Sequence, residues 1–128
     1  MPKMKKHSVL IVDDDEQFRL SLSKIFKKVG YRVTTATNGI EALKILLKLQ
    51  HELVIADHRL PGMTGIELLK EIKFKSPKTK VLVITAYGDD SVRTQAINVG
   101  AFAFLNKPIK RNEILEWASK ALNKNYIC

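Results

Sequence analysis

The sequence predicts an α/β fold in which helices cover both faces of a parallel β-sheet. Three observations lead to this prediction. Short apolar runs alternate strictly with stretches of helical periodicity along the 128 residues. The runs are rich in Val, Ile and Leu, as in strands that are buried on both faces. Right-handed crossovers between such units give a doubly wound sandwich with five strands and five helices.

Each predicted strand is a run of four to six residues that ends where the chain turns polar or enters a turn. The strands are predicted at Val9–Val12, Arg32–Ala36, Leu53–Ala56, Lys80–Thr85 and Phe102–Asn106. The segments between them contain no linker, internal repeat or low-complexity stretch. The sequence therefore predicts one compact domain.

The first predicted helix carries apolar residues at spacings of three and four, which places them on one face. They are Phe18, Leu22, Ile25, Phe26 and Val29. Gly30 follows as a C-terminal stop. The second helix is marked by Leu43, Leu46 and Leu47.

The last three helices follow the same pattern. The third is marked by Ile66, Leu69 and Ile72, and Thr64 is its expected N-cap. The fourth is marked by Val92, Ala96 and Val99 and ends at Gly100. The fifth is marked by Ile114, Leu115, Ala118 and Leu122.

The composition is typical of a soluble globular protein, with 45% hydrophobic and 27% charged residues. No apolar run approaches the roughly 20 residues that a membrane span needs, so no membrane association is expected. The one cysteine, Cys128, leaves no partner for an internal disulfide, which fits a cytoplasmic location.

The formal net charge of +9 raises the question of nucleic-acid binding. The lysines, however, are scattered along the chain and mostly fall on the expected solvent faces of the helices. This pattern favours solvated helix faces, and we expect no direct nucleic-acid binding by this domain.

Acidic residues and one lysine stand where predicted strands end. Asp13 and Asp14 follow the first strand, Asp57 follows the third, and Lys107 follows the fifth. Ligand sites in parallel sheets lie at these carboxyl ends. Two carboxylates about 4 Å apart repel by roughly 4 kcal/mol at an effective dielectric near 20, so gathering them implies a bound cation. The alternative, helix capping and solvation, is expected for the next residues, Asp15 and Glu16.

Carboxylate oxygens at such an edge suit Mg²⁺, which is usually held by one or two carboxylates together with phosphate oxygens. Asp57 could be a ligand or a nucleophile that forms an aspartyl phosphate. Phosphoryl transfer needs positioning and charge neutralisation, and Lys107 and the strand-end hydroxyl of Thr85 can contribute to both.

Several motifs together resemble the receiver domain of bacterial two-component response regulators. They are residues 11–16 (IVDDDE), 57–65 (DHRLPGMTG), 84–86 (ITA), 100–101 (GA) and 104–108 (FLNKP). The resemblance covers residues 7–123. It implies a receiver domain there, with a basic N-terminal tail at 1–6 and a C-terminal tail or the start of a linker at 124–128.

The resemblance also implies a flavodoxin-like fold with strand order 2-1-3-4-5 and a role for each site residue. Asp57 is implied as the phosphoacceptor. Mg²⁺ is implied as the cofactor, bound by Asp13, Asp14, Asp57 and the backbone carbonyl of Arg59. Thr85 and Lys107 are implied to grip the phosphoryl group, and the peptide bond between Lys107 and the following proline is implied to be cis.

A switch pair follows from the same resemblance. Thr85 is implied to move towards the phosphoryl group, and the aromatic ring of Phe104 is implied to fill the vacated space. The family often has tyrosine at this position. Since phenylalanine has no hydroxyl, we expect the switch to depend on burial alone.

The implied function is a phosphorylation-dependent signalling switch that catalyses only its own phosphorylation and dephosphorylation. Its implied partner is a sensor histidine kinase or a histidine phosphotransfer protein. A homodimer through the fourth helix, fifth strand and fifth helix is a further expectation. The domain could stand alone or belong to a longer regulator, and residues 84–89 resemble receivers joined to AAA+ transcription activators.

Two alternatives remain open from the residues alone. The first is a Mg²⁺-dependent phosphohydrolase that works through an aspartyl phosphate. Against it, the chain has no cap insertion, and Arg59 stands two residues after Asp57, where a general acid would be needed. The second is a nucleic-acid or protein-binding module whose acidic site is idle, although no helix-turn-helix follows the fifth helix.

Overall fold

The computed structural model describes residues 6–86 and 89–123 as five strands and five helices in strict alternation. The strands are β1 (Ser8–Val12), β2 (Arg32–Ala36), β3 (Leu53–Asp57), β4 (Lys80–Thr85) and β5 (Ala103–Asn106). The helices are α1 (Glu16–Lys28), α2 (Gly39–Lys48), α3 (Gly65–Lys75), α4 (Asp90–Val99) and α5 (Arg111–Leu122).

All neighbouring strands are parallel, and their order in the sheet is β2-β1-β3-β4-β5. The α/β fold, the parallel sheet and the strand order are therefore confirmed. Since every strand runs the same way, all carboxyl ends lie at one edge of the sheet, called here the carboxyl edge. The opposite edge, where the strands begin, is called the amino edge.

The core has two layers, one on each face of the sheet. Alternate residues of each strand point to opposite faces. Val54 packs in the layer under α2, α3 and α4, whereas its neighbours Leu53 and Ile55 pack in the layer under α1 and α5. Burial on both faces explains why the strands are nearly continuous apolar runs.

The ends of the helices follow local sequence signals. Thr64 caps α3 in a reciprocal arrangement: its hydroxyl accepts from the Glu67 amide, and the Glu67 carboxylate accepts from the Thr64 amide. Gly30 and Gly100, after α1 and α4, have φ of 98° and 120°, a region that side-chain-bearing residues avoid. The predicted cap and both glycine stops are therefore confirmed.

Three residues differ from the expected pattern. Val29 and Leu47 were expected on buried helix faces but are exposed. Val29 is already the C-cap of α1, and Leu47 lies one helical step beyond Leu46, which packs into the core. Phe102 precedes β5 instead of starting it, and its ring packs edge-on against Trp117 of α5.

No helix within the described residues is both long enough and apolar enough to cross a membrane.

Candidate acidic functional site

The carboxyl edge brings the predicted acidic residues together. Val12 pairs with Ala56 in the β1–β3 register, so the residues that follow them, Asp13 and Asp57, lie level on adjacent strands. One carboxylate oxygen from each of Asp13, Asp14 and Asp57 lies within 4.8 Å of the others. Asp13 is buried, Asp57 is 9% exposed and Asp14 faces solvent. The cluster is therefore sheltered on one side and open on the other.

This donor set fits a hard divalent cation. Three carboxylates supply closely spaced oxygen ligands, and the open side leaves room for the water molecules that Mg²⁺ retains. Within the described part of the chain, no other group of three or more His, Cys, Asp or Glu side chains has this geometry. The acidic pocket could therefore bind a metal ion.

Lys107 joins two of the three carboxylates. Its Nζ donates to Asp13 Oδ2 at 2.8 Å and to Asp57 Oδ2 at 3.0 Å. Burial alone would lower the pKa of the ammonium, but the hydrogen bonds and negative charges of Asp13 and Asp57 raise the pKa above its usual value. Lys107 is thus firmly cationic and already lies where negative charge accumulates.

The surroundings of Asp13 disfavour the ionised form of its carboxyl group. Burial raises the pKa of its carboxyl group, whereas the Lys107 bond and the Asp15 amide oppose that rise, and the net pKa lies above the ordinary value. Desolvation, together with the nearby negative charge of Asp57, therefore outweighs the stabilising effect of Lys107 and the Asp15 amide on the Asp13 carboxylate. A further cation bound nearby would stabilise the ionised carboxylate of Asp13.

Backbone amides orient both strand-end carboxylates. Asp13 Oδ1 accepts from the Asp15 amide at 2.9 Å, and Asp57 Oδ1 accepts from the Arg59 amide at 3.0 Å. In each case one oxygen is held by an amide and the other by Lys107. The role predicted for Arg59 concerned its carbonyl, and this role stays a prediction.

Two residues of α1 support the site and were missed from the sequence. Arg19 donates from Nη1 to the backbone carbonyl of Asp13 at 2.8 Å. The ring centroid of Phe18 lies 4.1 Å from the Nζ of Lys107. The sequence showed Phe18 only as a member of an apolar helix face, since nothing in its spacing points to a lysine 89 residues away.

Thr85 and Phe104 lie on the adjoining strands. Thr85 is the last residue of β4 and is buried, and its carbonyl accepts from the Lys107 amide at 3.0 Å. Phe104 in β5 is 3% exposed. Arg93 of α4 contacts Phe104 twice: Nη1 donates to its carbonyl at 3.0 Å, and the guanidinium lies 5.1 Å from the ring centroid. The ring is thus in a buried position, covered from α4.

The loop between β3 and α3 folds tightly against the site. A Cβ atom on Gly65 would lie 2.7 Å from the Asp57 carbonyl oxygen, so only glycine fits there. Gly65 is the first residue of α3, and Gly62, in the loop before it, has φ of 78°. The peptide bond between Lys107 and Pro108 is cis, as the resemblance implied. Tyr87 and Gly88, part of the segment that resembles AAA+-linked receivers, lie outside the described residues.

Comparison with known proteins agrees with this geometry. The sequence pattern of the family described as "Response regulator receiver domain" matches residues 9–119. The chain is 37% identical over 119 residues to sporulation initiation phosphotransferase F of Bacillus subtilis, covering 93% of this chain and 96% of the relative. It is 34% identical over 120 residues to the DNA-binding transcriptional regulator NtrC of Escherichia coli, covering 94% of this chain but 26% of the relative.

A solved structure shows the same fold. The CheX–CheY–BeF3–Mg complex from Borrelia burgdorferi contains a chain that matches with a TM-score of 0.87 and 29% identity, over 92% of this chain and 90% of that one. The fold and the acidic edge define a signalling domain of the two-component type. The chain belongs to the response regulator receiver domain family. Phosphorylation-dependent signalling, either alone or as part of a longer regulator, is the function of this family.

Proposed function

We propose that Asp57 accepts a phosphoryl group from a phosphohistidine on a sensor histidine kinase or a histidine phosphotransfer protein. Mg²⁺ would be held by Asp13, Asp14, Asp57 and the carbonyl of Arg59. One observation carries the proposal: three carboxylates converge within 4.8 Å of one another, and the Lys107 ammonium binds two of them. Crowding of this kind destabilises the folded protein when no cation is bound, but it suits the binding of a cation that in turn attracts a phosphoryl group.

The reaction requires little covalent chemistry from the protein. A carboxylate oxygen of Asp57 forms a bond to phosphorus while the phosphorus–nitrogen bond of the phosphohistidine breaks. The imidazole leaves and takes up a proton from water. Mg²⁺ would neutralise charge on the transferred oxygens. Lys107, already 3.0 Å from Asp57 Oδ2, would bind one of those oxygens as charge develops there.

Dephosphorylation follows the same geometry. Water attacks the phosphorus of the aspartyl phosphate, the bond from phosphorus to the Asp57 oxygen breaks, and inorganic phosphate is released. The domain would thereby catalyse only its own phosphorylation and dephosphorylation.

Thr85 and Phe104 would convert the covalent change into a conformational one. Thr85 would turn its hydroxyl towards the phosphoryl oxygens, and the Phe104 ring would occupy the space released. In this structure the ring is already buried, at 3% exposure. Because phenylalanine offers no hydroxyl, the other state would differ from this one only in exposing the ring. Phosphorylation favours one state only through contacts that differ between them.

The test is phosphorylation by acetyl phosphate with Mg²⁺, followed by intact-mass spectrometry. The wild-type chain should gain one phosphoryl group, and omission of Mg²⁺ or the Asp57→Asn substitution should abolish the gain. Asp90→Asn is the matched control, because Asp90 is an acidic residue in the first turn of α4 outside the cluster. Stoichiometric phosphate on the Asp57→Asn protein would refute the assignment.

The same preparation tests the phosphohydrolase alternative. A receiver should consume small phosphate donors slowly, through its own phosphorylation and dephosphorylation. Steady hydrolysis of an aryl phosphate at rates typical of enzymes would favour the alternative instead.

Four further assignments are part of this proposal. Residues 7–123 would form the receiver domain, with a basic N-terminal tail at 1–6 and a C-terminal tail or the start of a linker at 124–128. A homodimer would form through α4, β5 and α5. The domain would act in the cytoplasm without binding nucleic acid directly. Light scattering with and without beryllofluoride and Mg²⁺ would test the dimer, which should appear in the presence of both.

A further inference from the structure

We propose that Phe18 is a positioning residue for phosphoryl transfer, because its ring holds the Lys107 ammonium in the pocket through a cation–π contact. This inference rests on the proposed function of the acidic site. Phe18 belongs to α1 and carries no group that could bind a metal or a phosphoryl oxygen. Its role would be exerted entirely through Lys107.

The contact is close. The Nζ of Lys107 lies 4.1 Å from the centroid of the Phe18 ring, well inside the limit of about 6 Å for such interactions. Two other cation–π contacts within the described residues are longer, at 5.0 Å for Lys120 over Trp117 and 5.1 Å for Arg93 over Phe104. The Lys107 side chain is 17% exposed, so water weakens the attraction less than at the surface.

The first turn of α1 fixes Phe18 relative to the acidic pair. The Asp15 side chain caps the helix by accepting from the amides of Gln17 and Phe18. Arg19, the next residue, donates to the carbonyl of Asp13. The backbone that carries Phe18 is therefore tied to Asp15 on one side and, through Arg19, to Asp13 on the other, which fixes the point from which the ring reaches Lys107.

The ring supplies an attraction that the carboxylates cannot maintain throughout the reaction. An ammonium has three donors, and Lys107 gives two hydrogen bonds, to Asp13 and Asp57. When those carboxylates share their charge with a divalent cation, their hold on Lys107 weakens, and the cation also repels it. The attraction of the Phe18 ring does not depend on the charge of the carboxylates. The ring should thus matter most when the site is loaded.

The ring face is also tolerant of small movements. Lys107 would have to shift from Asp57 Oδ2 to an oxygen of the incoming phosphoryl group. A hydrogen bond to a fixed acceptor is lost in such a shift, whereas the quadrupole of a ring face attracts a cation over a broad area. Phe18 would keep the ammonium desolvated and inside the pocket while it exchanges partners.

The sharpest test replaces Phe18 by phenylalanines carrying one, two and three ring fluorines. Fluorination weakens the negative ring face stepwise while nearly preserving the shape of the ring. The maximal phosphorylation rate with acetyl phosphate at saturating Mg²⁺ should fall at each step. Phe18→Leu, which removes the ring face, should be about threefold to tenfold slower, and Phe18→Tyr, which retains it, should stay within about twofold of wild type.

A second readout needs neither metal nor phosphate. The ring current of Phe18 should shift the Lys107 ε-methylene proton signals upfield in the metal-free protein, and Phe18→Leu should remove that shift. The matched control is the same fluorination series at Phe26. This residue lies two turns further along α1 and packs edge-on against Tyr31, and the series there should leave the phosphorylation rate unchanged.

The outcomes separate the inference from the function on which it rests. A flat fluorination series in a protein that is normally phosphorylated would reduce Phe18 to a packing residue and overturn the inference alone. A wild-type chain that takes up no phosphoryl group would overturn the proposed function and the positioning role together. An upfield shift in that protein would then show only that the ring and the ammonium are in contact.

Discussion

The two edges of the sheet handle polar groups in opposite ways. At the carboxyl edge, three carboxylates lie together, and the ammonium of Lys107 binds only those of Asp13 and Asp57, so negative charge remains in excess. At the amino edge, the buried polar side chains of His51 and Thr79 belong to a series of hydrogen bonds centred on His51. The same sheet thus carries one edge that is electrostatically incomplete and one that is satisfied internally.

The hydrogen bonds at the amino edge connect His51 to residues from several elements. His51 Nδ1 lies 2.8 Å from the Leu49 carbonyl oxygen, which can only accept, so Nδ1 carries the proton. Nε2 then accepts from the Thr34 hydroxyl at 3.0 Å. The Thr79 hydroxyl donates to the His51 carbonyl at 2.9 Å, and Lys73 Nζ donates to the Thr79 carbonyl at 2.7 Å. The buried side chains of His51 and Thr79 therefore both have hydrogen-bond partners.

The difference separates the edge that stabilises the folded state from the edge whose uncompensated charge is available for binding. A buried polar group with a partner costs little, whereas an uncompensated buried charge destabilises the folded state. At the amino edge, hydrogen bonds supply partners for the buried side chains of His51 and Thr79. The carboxyl edge retains repulsion between carboxylates, which a bound metal ion could relieve. Changes at the two edges should therefore have opposite effects on stability.

The largest expected effect is at the amino edge. His51→Ala should lower the free energy of unfolding by about 2–4 kcal/mol, because it opens a cavity and leaves the Leu49 carbonyl and the Thr34 hydroxyl without their partner. Urea unfolding measures this change. Gln50→Ala, at an exposed neighbour, should stay within about 0.5 kcal/mol of wild type. Equal losses in both variants would mean that the His51 network contributes nothing specific.

A smaller effect of opposite sign is expected at the carboxyl edge. Without Mg²⁺, Asp14→Asn should raise the free energy of unfolding by about 0.5–1 kcal/mol, because it removes repulsion without breaking the Lys107 bonds. Saturating Mg²⁺ should shrink this gain, because the metal stabilises the wild type more than a variant that lacks one ligand. Thermal unfolding with and without Mg²⁺ decides the point, and identical shifts in both conditions would contradict a shared metal site.

The smallest effect is a pH dependence with opposite signs at the two edges. Burial lowers the pKa of His51 below 6.5, so the unfolded chain binds more protons there, and stability is lost as the pH falls below 6.5. Burial raises the pKa of Asp13 above 3.8, so between 3.8 and the raised value the folded chain binds more protons. Acidification through that window therefore restores stability.

The two contributions can be separated with variants in metal-free buffer. Relative to wild type, His51→Gln should lose less stability between pH 7 and the lower pKa of His51. Asp13→Asn should lack the gain at more acid pH. Unfolding free energies measured across the range give both slopes. A His51→Gln profile parallel to that of wild type would show that His51 titrates alike in the folded and unfolded chains.

Local patterns were sufficient for the architecture and for part of the site. Continuous apolar runs can be satisfied only by burial on both faces, and their alternation with helical periodicity left a parallel sheet as the consistent arrangement. The convergence of Asp13, Asp14, Asp57 and Lys107 could be predicted because each stands at or just beyond the end of a strand, and parallel strands end together.

The contacts that support the site and the amino edge could not be predicted from local sequence patterns. Phe18 over Lys107, Arg93 against Phe104 and the His51 chain each join residues from different elements. Sequence spacing determines the face on which a side chain lies, but the partner on that face depends on how the elements pack. The exposure of Leu47 and the position of Phe102 outside β5 likewise depend on how the elements pack, and local spacing did not predict them.

By itself, then, the sequence determined the alternation of elements, the edge at which acidic residues gather, and the residues that could hold a cation. The tertiary structure alone decided which oxygens share the ammonium of Lys107, which ring lies against it, and which buried polar groups at the other edge find partners. The physical reason is the range of the interactions. Hydrophobic periodicity and strand-end position act along the chain, whereas hydrogen bonds and cation–π contacts depend on distances of a few ångströms between residues that only packing brings together.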